Sequence, residues 1–118
     1  MLLRFHFFAV SDETATVKAL VDGTVTAADI FSTSPAIKES NLVVLEDPKN
    51  NFLAANVVPL VSSQKKSDEL KKVLDAVSAK LTTEDLIELN TATEGNAGIN
   101  PDEAARKWVQ ANAFDKPI

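Results

Sequence analysis

Two kinds of hydrophobic pattern alternate along this chain. Continuous apolar runs occupy the first half: Phe5 to Val10, Val25 to Phe31, Leu42-Val43-Val44-Leu45 and Asn56 to Val61. Runs this short, rich in β-branched and aromatic residues, predict strands. Pro59, which cannot donate to a ladder, places the last of them at an edge, an end or a bulge. Spaced apolar residues dominate the second half. Leu70, Val73, Leu74, Val77 and Leu81 fall on one stripe of a helix that opens at Ser67. Thr82 stands three residues before Asp85, the spacing of a capping box, with Leu81 and Leu86 at the staple positions. Asn100-Pro101-Asp102-Glu103 opens a third helix, with Ala104, Ala105, Trp108 and Val109 on its core face.

Punctuation completes the picture. Ser11-Asp12-Glu13 starts a helix between the first two runs, and Val17, Leu20 and Val21 give it an apolar face. Gly23 closes it where a left-handed residue is needed. Strand, helix and strand within about 30 residues form a β-α-β unit, with a right-handed crossover as the default. Residues 32–41 read as a loop with a helical turn, and Glu46 to Asn51 as a turn. Gly95 is expected to end the second of the late helices. The predicted class is α/β: a β-α-β unit, two further strands and three C-terminal helices.

Composition narrows the chemistry. The chain has 118 residues, 45% hydrophobic and 25% charged, which is an ordinary globular balance. With no Cys and one His, thiol catalysis, disulfides and multi-His metal sites are excluded. Three scattered glycines cannot build a phosphate-binding loop. The net charge of −5 offers no basic footprint, so nucleic acid is not an expected partner. Lys65, Lys66, Lys71 and Lys72 are interleaved with Asp68, Glu69 and Asp75, as on a solvated helix face. No apolar run approaches the roughly 20 residues of a membrane helix, and the first eleven residues do not make a convincing signal peptide.

No residue set here points to catalysis. His6 lies inside an apolar run and reads as a packed or edge histidine. Glu84-Asp85 and Asp102-Glu103 sit at helix starts, where the helix dipole accounts for them, and Glu46-Asp47 sits in a turn. Ser32-Thr33-Ser34 has hydroxyls without a neighbouring base; it reads as a polar loop or as the rim of a ligand site. No cofactor is expected, and the pattern by itself describes an α/β domain that binds rather than catalyses.

Four blocks go further. Asp22-Gly23-Thr24-Val25-Thr26-Ala27-Ala28-Asp29-Ile30-Phe31-Ser32-Thr33-Ser34-Pro35 resembles a segment of the osmoprotectant-binding proteins of ABC importers. Leu42 to Lys49 is similar to that family's Leu-x-x-Leu-x-Asp-Asp/Pro-Lys, and Phe52 to Pro59 to its Phe-x-x-Tyr-Asn-Val-x-Pro. Leu81 to Asn90 resembles its Leu-Thr-x-Glu-x-Met-x-x-Leu-Asn helix start. The blocks come in the family's order and spacing, and the likeness covers roughly residues 12–114.

The resemblance implies part of a type-II periplasmic-binding fold, in which two α/β lobes close on a quaternary-ammonium osmolyte such as glycine betaine or choline. It implies a C-terminal portion of a longer binding protein: residues 1–31 from the second lobe, 32–56 the crossover, and 57–118 from the first lobe. It also implies an extracytoplasmic location and an ABC permease as partner. A trimethylammonium group donates no hydrogen bonds and is held by ring faces. By resemblance, Phe31 takes the place of one cage Tyr, with Ser32 and Thr33 as hydroxyls on the rim. Ala55 falls where the family has a second cage Tyr and brings no ring; Asn56 beside it can offer an amide. A chain holding pieces of two lobes is also expected to self-associate, with strand exchange as one route. The alternative to ligand binding is a free-standing α/β interaction module that self-associates.

Overall fold

A computed structural model describes residues 12–53, 55–94 and 98–116. Among these residues there are five α-helices: α1 (Glu13–Val21), α2 (Ala36–Glu39), α3 (Asp68–Lys80), α4 (Thr83–Thr93) and α5 (Pro101–Ala111). A short 3-10 turn, Ser63–Lys65, precedes α3. The chain divides into two compact units, Met1–Val43 and Val44–Ile118.

The helix starts follow the local chemistry. Ser67 accepts from the Leu70 N–H at 3.1 Å, and Asn100 accepts from the Asp102 N–H at 2.8 Å with Pro101 behind it. Thr82 and Asp85 close a full capping box. The Asp85 N–H donates to the Thr82 hydroxyl at 3.1 Å, and the Thr82 N–H donates to the Asp85 carboxylate at 2.8 Å. On α1 the cap is Asp12, which accepts from the Ala15 N–H at 2.8 Å. The cap expected at Ser11, the strand at Phe5 to Val10, His6 and the stop at Gly95 lie outside the described residues.

Three helices end on one motif. After α1, the Gly23 N–H donates to Leu20 and the Thr24 N–H to Ala19. After α2, the Asn41 N–H donates to Lys38 and the Leu42 N–H to Ile37. After α5, the Ala113 N–H donates to Gln110 and the Phe114 N–H to Val109. Each is a paired Schellman closure around a left-handed residue: Gly23 at φ 72°, Asn41 at 52° and Ala113 at 59°. Glycine suits this backbone and Asn tolerates it, but Ala is strained there. The accompanying apolar contact is present after α5, where Phe114 stacks on Trp108 with ring centroids 5.8 Å apart. Ala113→Gly is therefore expected to stabilise this corner by about 0.5–1 kcal/mol, relief of left-handed strain exceeding glycine's entropy cost. A thermal melt of the variant that is unchanged or lower would contradict this.

The predicted α/β class is not what forms. Among the described residues there is no β-strand. Val25 to Phe31, Leu42 to Leu45 and the described part of 52–61 run without a ladder. The expected β-α-β unit, the two further strands and the parallel crossover are all corrected by this finding. The physical reason is pairing. A strand is stabilised by a neighbour that takes up its N–H and C=O groups, and these runs have none. They stay exposed instead: Val43 is 83% accessible, Leu53 88% and Leu60 95%. The turn at 46–51 does form, with the Asp47 carboxylate accepting from the Phe52 N–H at 2.9 Å and Asn50 at φ 51°.

Packing is thin. Among the described residues Ala19, Pro35 and Ala104 are the buried apolar positions. In the second unit, α4 and α5 pack on each other. The Ile99 N–H donates to the Ala92 carbonyl at 2.9 Å, which ties the start of α5 to the end of α4. Hydrogen bonds from the Thr82 N–H, then the Thr82 hydroxyl, hold the Asp85 carboxyl below its ordinary range. A weaker pull comes from the Trp108 indole, whose buried Nε1 lacks a hydrogen bond of ordinary geometry.

Because the folded-state pKa of Asp85 is depressed, its contribution is complete above the unfolded value near 4 and is lost as pH falls through the folded value. Acid titration followed by amide exchange is expected to release the first turn of α4 below about pH 4. Asp85→Asn should flatten that step. A first turn equally protected at pH 2.5 and pH 7 in both proteins would refute it.

Candidate functional site

Phe31, Ser32 and Thr33 belong to one tight turn. The Ser34 N–H donates to the Phe31 carbonyl at 2.9 Å, with Ser32 and Thr33 at the centre. Ser34 and Pro35 are buried beneath it. Anchoring the turn at its far end leaves the Phe31 ring outside, 76% accessible. An aromatic ring this exposed is an available binding face.

The ring borders an open depression of about 130 Å³ lined by Phe31, Asp29, Glu13 and Thr16. A cavity of roughly 150 Å³ holds a benzene-sized molecule, so the depression has room for one compact head group. Glu13 and Thr16 are one turn apart on α1 and share a face. The Thr16 hydroxyl donates back to the Asp12 carbonyl at 2.9 Å. The lining thus combines one ring face, two carboxylates and a hydroxyl whose proton is already placed.

The five residues expected at the site are distributed between the two units. Phe31 lines the depression; Ser32 and Thr33 flank it in the turn but are not among its lining. Ala55 and Asn56 lie in the second unit, both exposed and outside any helix. Glu13, Thr16 and Asp29 were not singled out by sequence reasoning. The signal for Glu13 and Thr16 was their shared helix face, and Asp29 is two residues from Phe31. Among the described residues no group of three or more His, Asp or Glu side chains is placed to hold a metal ion.

A family model described as the substrate-binding domain of an ABC-type glycine betaine transport system matches residues 6–111. The chain belongs to that family. The family is one of transport binding proteins, whose members capture a small ligand for an ABC permease outside the cytoplasm. Among curated proteins, the chain is 33% identical over 95 residues to the ergothioneine transport permease/ergothioneine binding protein EgtU of Helicobacter pylori (strain G27). That alignment covers 77% of this chain and 17% of the relative, so the chain spans about a sixth of the length of the protein it matches. No solved structure gives a significant match.

Proposed function

We propose that this chain supplies one wall of an extracytoplasmic site that captures a small quaternary-ammonium compound for import by an ABC permease. The observation that carries the reading is the exposed Phe31 ring beside the carboxylates of Asp29 and Glu13. A trimethylammonium group is attracted by the ring's negative face and by nearby anions, and it asks for no hydrogen-bond acceptor. The ligands named for the family and for the relative, glycine betaine and ergothioneine, both carry that group. Ser32 and Thr33 serve as rim hydroxyls next to Phe31. By the family resemblance, Ala55 brings no ring and Asn56 can offer an amide. Among the described residues no helix is long and apolar enough to cross a membrane.

Calorimetric titration of the full chain with choline and with glycine betaine tests this reading. Saturable heat from either supports it, and silence from both sinks it.

A second reading rests on the exposed apolar residues of the second unit. Phe52, Leu53, Val57, Val58 and Leu60 are each 65–95% accessible and close together in sequence. Exposed apolar side chains in such number seek cover, and copies of the chain are an available partner. Light scattering is expected to show a mass that rises with concentration. Replacing Val58 and Leu60 with Lys should return it toward the monomer, and a monomeric mass throughout would remove this reading.

A further inference from the structure

We infer that two copies of this chain pair antiparallel through the apolar run around Asn56, with Asn56 on the two-fold axis. The inference rests on the second reading above and gives that association its orientation and register.

The run is apolar, uncharged and open to a partner. Residues 50–64 carry no charge, and Leu53, Val57, Val58 and Leu60 all face solvent. Among the described residues none takes up the N–H and C=O groups of Val57, Val58 and Leu60. A second strand laid alongside satisfies those groups and covers apolar side chains in one step. A two-stranded pairing is marginal in water by itself, so the association is modest and depends on concentration.

The flanking charges select a second copy and an orientation. Glu46 and Asp47 precede the run, and Lys65 and Lys66 follow it; all but the half-buried Asp47 are exposed. With Asn56 opposite its own copy in an antiparallel pair, Glu46 falls opposite the partner's Lys66 and Asp47 opposite the partner's Lys65. Lys49 falls opposite Ser63, and Asp68 and Glu69 lie beyond these pairs in the first turn of α3. A parallel pairing in register sets each of these charges against its own kind and repels at both ends. The turn at Asp47 and the 3-10 turn at Ser63–Lys65 bend the chain at either end. The flanking charges therefore act across solvent, within a Debye length of about 8 Å at physiological salt.

Pro59 agrees with the same centre independently. Opposite residues in an antiparallel ladder alternate between hydrogen-bonded and non-hydrogen-bonded pairs. Pro59 has no N–H and needs a position of the second kind. When Asn56 faces its copy as a hydrogen-bonded pair, Ala55 with Val57 and Leu53 with Pro59 are non-hydrogen-bonded pairs. Phe52 then falls opposite Leu60, so apolar residues meet apolar ones on both sides of the axis.

Light scattering on the full chain at low salt is expected to show a mass that rises with concentration toward twice the 12.7 kDa of one chain. Lys65→Glu with Lys66→Glu should weaken the association at least about tenfold, and Glu46→Lys about threefold. Asp47 is left in place because its carboxylate holds the Phe52 N–H. Equal amounts of these two variants, once mixed, should associate as tightly as the parent, since each end again joins opposite charges. Circular dichroism checks that both keep their helices. Because the chain has no Cys, orientation can be read by oxidation. Asn56→Cys should give a disulfide-linked dimer, the Cα atoms of such a pair lying about 5.5 Å apart, and Ser62→Cys should not. Cross-linking at both positions would show a parallel pair, and at neither a different surface; each overturns this inference and leaves self-association standing. Charge variants that associate as tightly as the parent would overturn the assignment to Glu46, Lys65 and Lys66. A mass of one chain at every concentration would overturn the inference and the second reading together.

Discussion

Replacing Phe31 with Ala is expected to weaken choline binding about two- to fivefold, the effect of losing an exposed cation–π contact of about 0.5–1 kcal/mol. The turn that carries the ring should survive. Its hydrogen bond runs between the Ser34 N–H and the Phe31 carbonyl, both backbone groups, and the ring itself is mostly outside the packed surface. Binding and folding are therefore separable at this residue. Phe31→Tyr keeps the ring face, so affinity should be retained. Phe31→Leu keeps apolar bulk without the quadrupole and should behave like Ala. If Leu binds choline as well as Phe, the ring acts only as apolar surface and the cation–π account fails.

The second large effect is expected at Gly98. A Cβ built there would lie 2.4 Å from the Thr93 carbonyl oxygen and 2.8 Å from that of Glu94. Both are backbone atoms at the end of α4, so no side chain can swing aside. Gly98→Ala should push the strand of chain entering α5 away from α4 and break the Ile99 to Ala92 hydrogen bond. A cost of about 2–3 kcal/mol is expected, typical of overpacking a site that cannot relax. Gly23→Ala makes a useful contrast. Nothing lies within 4 Å of a Cβ at Gly23, so only its left-handed backbone is penalised, by about 1 kcal/mol. Thermal melts of the two variants should rank in that order. Equal midpoints for Gly98→Ala and the parent would show that the close approach is not obligatory.

The helices were legible because their signals are local. Ser67, the Thr82–Asp85 pair, Asn100 with Pro101, and Gly23 each act within four residues of the atoms they satisfy. The strands were not legible in the same way. Leu42 to Leu45 and Asn56 to Val61 have strand composition, but composition cannot say whether a pairing partner exists. Their exposed, unladdered backbone shows that none among the described residues does so. The lining of the depression was less legible for a related reason. Phe31 was singled out only through the family resemblance of residues 22–35, and Glu13 and Asp29 are sixteen positions apart and meet only because the Gly23 closure turns the chain back. Glu13 already had a sufficient explanation as an acid in the first turn of α1. Ala113 carried no signal at all, since nothing in the sequence marks an alanine that must adopt a left-handed backbone.

The stacked corner after α5 has a spectroscopic consequence. The chain contains one Trp and no Tyr, so its near-ultraviolet emission comes essentially from one indole. That indole sits against Phe114 and beside Asp85, where α4 meets α5. The protein thus carries its own fluorophore at the junction that Gly98 and the capping box hold together. Its emission maximum should shift to the red as that junction opens, whether by heat, by acid or by the Gly98 substitution, with no background from other aromatic emitters.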